Sequence, residues 1–474
     1  MNESINPLVL SEAEYRAVFE QITQVALEYL TSLDQRPSFP DLSGSETEGL
    51  FRKPLPQNGI GIASLDDLEA VIDGVRPGGP RFFGYVMGSG EPVAAAADLL
   101  ASVLNQNVTA WRSSPSAVTI ERTVVGWLAE AIDCRGFLGS LTGGGSAANL
   151  MALAMAREAR LPANESGARP GTIYASNQVH MSIPKAVALL GIGREHLRLI
   201  ACDDQFRMRT DLLREAVQRD VYTGLTPIAI VGSAGTVTTG SIDPLLELAE
   251  IAREFHAWYH VDGAYGALAA IAEPLMFAGL NSADSISLDP HKWLYQPLDC
   301  GGLLYRDPEA ARRAFSHTGD YAKALSEDPV EGFAFFEESI ELSRRFRALK
   351  LWLSLRYHGL ASFTEAIRND LAMAQYLADL VRSTPELELC APVTLSAVCF
   401  RHRDSRDIQG DSLNQKILQR VIRRRKVFLS NANIDGRFAL RACMTNHRTT
   451  RADVAQIINE VITAGMELTI KAGK

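Results

Sequence analysis

The sequence is poor in cysteine and shows no pattern that would pair its cysteines. Six cysteines are spread over 474 residues, with no CxxC pair and no histidine-rich spacing typical of metal ligands. We therefore expect neither a disulfide framework nor a metal site. The pattern predicts reduced, mostly buried thiols, as in a cytoplasmic protein.

Long apolar runs and an excess of positive charge are missing as well. No stretch reaches the roughly 18 uninterrupted apolar residues of a membrane span, and residues 1–7 lack the basic and apolar regions of a signal peptide. The formal net charge of −9 argues against a general nucleic-acid binder. These absences indicate a soluble globular protein, with neither a membrane nor a nucleic acid as its partner.

Lysine is also scarce, which draws attention to Lys292. Most of the nine lysines lie in charged surroundings, whereas Lys292 follows an alternating apolar stretch and precedes Trp293. This context predicts an amine near the end of a strand in a partly dry pocket, where desolvation favours a nucleophile. The alternative is a surface lysine beside a buried tryptophan.

A second candidate is the carboxylate of Asp262, which ends an apolar run and is followed by Gly263 and Ala264. Enzymes that use pyridoxal phosphate (PLP) need an anion against the pyridine nitrogen, because it keeps that nitrogen protonated. Small residues after the carboxylate let the backbone approach a flat ring. Taken alone, Asp262 could equally cap a turn or a helix.

The stretch Gly143-Gly-Gly-Ser146 precedes a segment rich in Ala, Leu and Met that we predict to be helical, with the helix opening from about Gly139. Backbone N–H groups and the positive dipole end at a helix N-terminus favour a phosphate group. The spacing is not that of the dinucleotide-binding GxGxxG motif. A plain loop is the alternative interpretation.

Strand and helix patterns alternate through the middle of the chain. Predicted strands are 172–175, 197–201, 228–232, 258–262, 285–288 and 302–305, with helices such as 184–190, 212–219 and 244–255 between them. This order predicts an α/β fold with a parallel or mixed sheet covered on both faces. Ligands of such sheets bind at the carboxyl ends of strands, where His180, Thr236 and Asp262 fall.

Two segments, Val261-Asp-Gly-Ala-Tyr-Gly266 and Asp289-Pro-His-Lys-Trp-Leu294, resemble the group II PLP-dependent amino-acid decarboxylases. That family includes aromatic L-amino-acid, glutamate, cysteine-sulfinate and 2,4-diaminobutyrate decarboxylases, and the resemblance extends from about Arg81 to about Arg441. It implies PLP as cofactor and fold type I. In that fold a large domain contains a mixed, mostly parallel sheet covered by helices, and a small α+β C-terminal domain and a helical N-terminal arm are added.

The sequence patterns at the two ends of the chain differ from the alternating strands and helices of its middle. Residues 11–33 and a segment around 65–72 are predicted amphipathic helices joined by an extended linker. We place the N-terminal arm at 1–88, the large PLP-binding domain at 89–347 and the small domain at 348–474. In the family such an arm packs on the partner subunit, so the resemblance implies a homodimer with active sites at the subunit interface.

The resemblance also implies a role for each matching residue. Lys292 would bind PLP covalently, Asp262 would contact the pyridine nitrogen, and His180 would stack on the ring. The remaining predicted cofactor-binding residues are Gly145 and Ser146 at the phosphate, Thr236 near the aspartate, Ala264 and His291.

Other matches concern the substrate. Tyr321 lies in an aperiodic stretch, 315–336, that predicts a lid, and the resemblance makes it the proton donor to Cα. Arg441 matches an arginine that meets the substrate carboxylate, although a structural role fits equally well. Phe82 lies in a segment near the substrate, and Asn107 falls in the predicted side-chain pocket. The surroundings of Asn107 resemble the diaminobutyrate and glutamate branches, so the substrate stays open.

The predicted reaction is α-decarboxylation of an L-amino acid to the amine and CO2. One alternative is oxidative deamination to an aldehyde, which in the family accompanies loss of the loop tyrosine or the stacking histidine. Two further alternatives are another fold-type I lyase or aldolase, and a non-catalytic PLP-binding protein. Asp289 departs from the pattern of the aromatic decarboxylases, which carry Asn at that position.

Overall fold

The computed structural model describes residue 6 and residues 8–317, 328–403 and 411–471, except for the side chains of 469–471. The α-helices are α1 Glu12–Ser32, α2 Gly44–Phe51, α3 Leu68–Gly74, α4 Pro92–Leu104, α5 Pro115–Ala131, α6 Gly145–Arg160, α7 Ser182–Leu189, α8 Thr210–Tyr222, α9 Leu245–Glu254, α10 Pro308–Phe315, α11 Ala348–His358, α12 Leu360–Ser383, α13 Asp411–Arg424 and α14 Arg451–Lys471. Within these described ranges, no helix is both long and apolar enough to cross a membrane.

The strands are β1 Leu138–Thr142, β2 Gly171–Ser176, β3 Leu197–Ile200, β4 Thr226–Ser233, β5 Trp258–Asp262, β6 Ser285–Leu288, β7 Gly301–Tyr305, β8 Leu387–Leu389, β9 Ala397–His402, β10 Ser430–Ile434 and β11 Arg437–Cys443. The first seven form one sheet in the order β1-β7-β6-β5-β4-β2-β3. The pairs from β3 through β6 are parallel, and β7 is antiparallel to both of its neighbours. The predicted mixed, mostly parallel sheet is confirmed.

Apolar side chains project from both faces of this sheet, because successive residues of a strand point to opposite faces. Ile230 and Val231, neighbours in β4, enter different apolar clusters. Val231 packs in the cluster that contains Met151 of α6, and Ile230 packs in the one that contains Leu128 of α5. Helices therefore cover the sheet on both sides, which leaves the carboxyl edge of the parallel strands as the place for a ligand.

The C-terminal part is built on a second, antiparallel sheet in the order β10-β11-β9-β8. Its apolar cluster includes Leu377 of α12, Ile417 of α13 and Ile457 of α14. A small α+β unit is thus confirmed in the C-terminal part of the chain. α11 packs on α4 and α5, and its Leu351 belongs to the same cluster as β4 and β5.

The N-terminal arm contains one helix more than predicted. α1 begins at the Ser11–Glu14 capping box, but the segment expected to be an extended linker contains α2. Ser43 and Glu46 form a second capping box there, and this paired hydrogen bonding satisfies the free N–H groups at the helix start. The prediction of an uninterrupted linker was wrong, because two glycines in this short helix hid its capping signal.

The glycine-rich segment also divides differently from the prediction. Residues 138–142 form β1, and the helix begins only at Gly145. Gly144 has φ of 128°, a backbone conformation that favours glycine and makes the turn from strand to helix. The turn places the start of α6 at the carboxyl edge of the large sheet.

Candidate active site

A cavity of about 290 Å³ lies at this edge, where β4, β5 and β6 end and α6 begins. It is lined by Gly143, Gly144, Gly145, Ser146, Asn149, His180, Ser233, Gly235, Thr236, Val237, Asp262, Ala264, Tyr265, Asp289, His291, Lys292 and Leu298. The structure therefore brings together all eight described residues that were predicted to bind the cofactor. They come from segments separated by more than a hundred residues in the chain.

Asp262 ends β5 and is held by neutral donors. Its Oδ2 accepts from Asn149 Nδ2 at 3.0 Å, and its Oδ1 accepts from the Ser287 hydroxyl at 3.0 Å and from the Ala264 N–H at 3.3 Å. The carboxylate is buried. Because these three donors carry no formal charge, the negative charge remains available to a cationic atom in the cavity.

Lys292 reaches the same cavity with 18% of its side chain exposed, and its Nζ lies 2.7 Å from Asp289 Oδ2. The Asp289 side chain is almost fully buried, and its Oδ1 has no hydrogen-bond partner among the described residues. Lys292 is not the only enclosed lysine, since Lys350 is fully buried and contacts Asp98 at 3.2 Å. Lys350 lies outside the cavity lining, so position rather than scarcity distinguishes the two amines.

The first turn of α6 forms an anion-binding corner. A Cβ placed on Gly145 would lie 2.6 Å from the Ala264 Cβ and 3.0 Å from Asp289 Oδ2, so only glycine fits. Ser146 follows it and is exposed to the cavity. Unpaired backbone N–H groups and the positive end of the dipole make this start of a 16-residue helix suitable for a phosphate.

Two histidines complete the polar lining. Burial lowers the pKa of His180, which the Asp262 carboxylate opposes, and His180 Nδ1 lies 2.8 Å from the Ser182 hydroxyl. Burial also lowers the pKa of His291, against the opposing effect of Asp289. Both rings are therefore neutral at pH 7, and a neutral imidazole can lie against an aromatic ring or accept a proton.

Two of the predicted substrate residues lie outside the cavity lining. Phe82 is buried and stacks on Phe428 with ring centroids 4.7 Å apart. Asn107 is exposed, and its Oδ1 accepts from the Arg344 N–H at 2.9 Å. Their assignment to the substrate remains a prediction that these contacts do not support.

Arg441 also lies outside the lining and is 3% exposed. Its Nε donates to the Thr238 carbonyl and its Nη1 to the Tyr85 carbonyl, each at 3.0 Å. Its Nη2 has no hydrogen-bond partner among the described residues. The predicted loop residue Tyr321 lies outside the described residues.

Sequence reasoning missed the partners of Asp262. Asn149 is a polar residue in the buried part of α6, and its Oδ1 lies 2.9 Å from His260 Nε2. Ser287 lies opposite Asp262 in the register of β5 and β6. A polar residue flanked by apolar ones in a predicted helix or strand is the signal that could have identified both, because buried polar groups require partners.

PLP carries an aldehyde, a pyridine nitrogen and a phosphate, and the cavity has a matching group for each. Lys292 supplies an amine, Asp262 an anion and α6 a helix N-terminus. The space beside the backbone of Gly145 is too small for any side chain. The residues therefore fit the cofactor. Together with the mixed sheet and the small antiparallel domain, they define a PLP-dependent enzyme of fold type I.

Comparison with known proteins places the chain within that class. The model of the pyridoxal-dependent decarboxylase conserved domain matches residues 61–403. The chain is 32% identical over 476 residues to the aromatic-L-amino-acid decarboxylase of Bacillus atrophaeus, covering 98% of both proteins. It is 30% identical over 474 residues to the 4-hydroxyphenylacetaldehyde synthase of Rhodiola rosea, covering 96% of this chain and 95% of that protein.

Among solved structures, Oryza sativa TDC with PLP and tryptamine is similar with a TM-score of 0.92 and 28% identity, covering 98% of this chain and 100% of that chain. The chain belongs to the family of PLP-dependent amino-acid decarboxylases, and its cofactor is pyridoxal 5'-phosphate. The predicted family, fold type and cofactor are confirmed.

Proposed function

We propose that the protein removes the α-carboxylate of an aromatic L-amino acid as CO2 and releases the amine. The convergence of Lys292, Asp262 and the start of α6 on one cavity carries this proposal. The aromatic class is supported by the relatives, which include an aromatic-L-amino-acid decarboxylase along the whole chain. Apolar Val237 and Leu298 in the lining are compatible with an aromatic side chain.

Five residues of the lining have defined tasks in this proposal. The cofactor supplies an electron sink for the pair left behind when CO2 departs. Lys292 would hold the cofactor covalently through its amine. Asp262 keeps the ring nitrogen protonated, because its charge is not neutralised by the donors around it. Gly145 and Ser146 bind the phosphate, and neutral His180 contacts the cofactor ring.

The amine and the aldehyde differ in the fate of Cα after CO2 leaves. The amine requires one proton delivered to Cα, and Tyr321 is the proposed donor. The aldehyde requires O2 and water as co-reactants, and yields ammonia and peroxide along with CO2. The relatives include proteins named for both outcomes. Retention of His180 and Tyr321 in the sequence supports the amine.

Product analysis of the holoenzyme with a panel of amino acids tests this proposal. Tryptophan, tyrosine, phenylalanine, glutamate and 2,4-diaminobutyrate would be compared for CO2, amine, aldehyde and peroxide. We expect one amine per CO2 from an aromatic substrate with no oxygen uptake, and we expect Tyr321→Phe to divert product to aldehyde and peroxide. Aldehyde from the wild-type enzyme would overturn amine formation, and turnover of glutamate alone would overturn the aromatic class.

We also propose a homodimer with active sites at the subunit interface. α1 has no buried residue over its 21 positions, and an isolated helix with no packed face is only marginally stable. Large apolar side chains are exposed on both α1 and α4, among them Tyr15, Leu27, Leu99 and Val103. Sedimentation at low micromolar concentration should give a dimer, and an active monomer would rule the proposal out.

A further inference from the structure

We propose that Asp370, in α12, is a positioning residue for Lys292. It fixes the segment that carries the lysine through hydrogen bonds to the side chains of Trp293 and Tyr295. This inference rests on the proposed role of Lys292 as the cofactor lysine, and it adds a residue from a distant part of the chain to the same site.

One carboxylate oxygen makes both contacts. Asp370 Oδ2 accepts from Trp293 Nε1 at 3.0 Å and from the Tyr295 hydroxyl at 2.8 Å. All three side chains are fully or almost fully buried. Trp293 follows Lys292 directly and Tyr295 is three positions after it, so the pair of bonds restrains the chain immediately beyond the lysine.

The backbone of that segment needs such restraint. Leu294 has φ of 83° and Tyr295 has φ of 54°. Two consecutive non-glycine residues in this region are uncommon, and such backbone persists only where the surrounding structure holds it. Main-chain bonds contribute, since the Tyr295 carbonyl accepts from the Glu91 N–H at 2.7 Å. Asp370 adds a polar restraint to the two side chains, whose rings also pack on Tyr265 and His447.

Burying the Asp370 carboxylate costs desolvation free energy. Burial raises the pKa of Asp370 to about 7, while the hydrogen bonds from Tyr295 and Trp293 lower it. Neither of these two donors is a cation that would offset the desolvation of the charge. Its benefit is that a carboxylate oxygen accepts two bonds at once, and bonds to the ionised form are stronger than neutral ones. This arrangement is typical of a group retained for position rather than for stability.

Asp370 also lies where the two units of the protein meet. Ile367, one turn before it, packs in the cluster of the large sheet, and Met373 packs in the cluster of the small sheet. The hydrogen bonds of Asp370 therefore connect the helix that spans both clusters to the lysine segment. A shift of α12 would move Trp293 and Tyr295 with it.

The test compares Asp370→Ala, Asp370→Asn and Asp379→Ala in the holoenzyme. Asp379 is the matched control, since it lies in the same helix, its side chain is 71% exposed, and it forms an ion pair with Arg382. We expect Asp370→Ala to lower kcat at least about tenfold with KM changed less than about threefold, and to weaken the induced circular dichroism of the bound cofactor. Asp370→Asn should recover most of both, because its amide oxygen can still accept two bonds.

Tyr295→Phe provides a second route if Asp370→Ala does not fold. It removes one donor and keeps the ring, so it should reduce the induced circular dichroism and lower kcat severalfold. Adding Tyr295→Phe to Asp370→Ala should change nothing further if Tyr295 acts through Asp370. Additive effects, or normal kcat and dichroism in Asp370→Ala with only a lower Tm, would overturn the proposal. A borohydride-fixed cofactor on another lysine of the wild-type protein would overturn the role of Lys292 instead.

Discussion

Replacing Lys292 by alanine is expected to abolish both the lysine-bound cofactor absorbance and turnover. The Lys292 amine is in the lining of the cavity and is close to the Asp289 carboxylate, at 2.7 Å. Removing it takes away the only amine among the described residues of the lining, so the cofactor could bind through its phosphate and ring but could not be attached. Absorbance of the purified protein and CO2 release would be measured together.

Lys185→Ala is the matched control, because Lys185 is exposed and lies in α7, five positions after His180. It should retain the wild-type absorbance and rate. Borohydride reduction followed by peptide mapping identifies the attached residue directly. An adduct on Lys185 or on the buried Lys350 would contradict the assignment, whatever the activities of the variants.

Asp262→Asn is expected to lower kcat at least about tenfold while leaving the fold intact. Loss of one charge-assisted hydrogen bond costs about 1.5–3 kcal/mol, and each 1.4 kcal/mol or so corresponds to a factor of ten in rate. The amide can still accept from Asn149, and the Ser287 hydroxyl can turn to accept from the new NH2 group, so only the long bond from the Ala264 N–H, at 3.3 Å, is lost. Packing is therefore preserved while the charge is lost.

Asp284→Asn is the control for this substitution. Asp284 Oδ2 accepts from the Tyr259 N–H at 2.7 Å, near the opposite end of β5 from Asp262. It is a carboxylate that directly precedes β6 and lies outside the cavity lining, so kcat should not change. Steady-state kinetics and the Tm of both variants would be compared. An unchanged kcat in Asp262→Asn would mean that another group provides the anion.

Much of the site could be predicted from local sequence because its residues follow strand ends. Apolar runs ending at Asp262 and at Leu288 identify β5 and β6, and the carboxyl ends of parallel strands meet at one edge. The resemblance of residues 261–266 and 289–294 to one family supplied the cofactor. The eight predicted cofactor residues that line the cavity come from such short segments.

The less regular elements could not be predicted as well. α2 was missed because two glycines lie within eight residues, and only its capping box marks it as a helix. The assignment of Phe82, Asn107 and Arg441 to the substrate rested on resemblance alone and stays a prediction, since all three lie outside the lining of the cavity. Burial of Lys350 was not predicted either, although Leu349, Leu351 and Trp352 beside it are apolar.

The sequence by itself determined the alternation of strands and helices, the family and the two charged groups, Lys292 and Asp262. These follow from patterns within about ten residues, which reflect local backbone preference and the period of burial. The tertiary structure decided which side chains form hydrogen bonds with Asp262 and with the segment that follows Lys292. Asn149 reaches Asp262 across 113 residues, and Asp370 reaches Trp293 across 77. Such contacts arise because buried polar atoms must find partners in whatever element packs against them, and no local pattern encodes that partner.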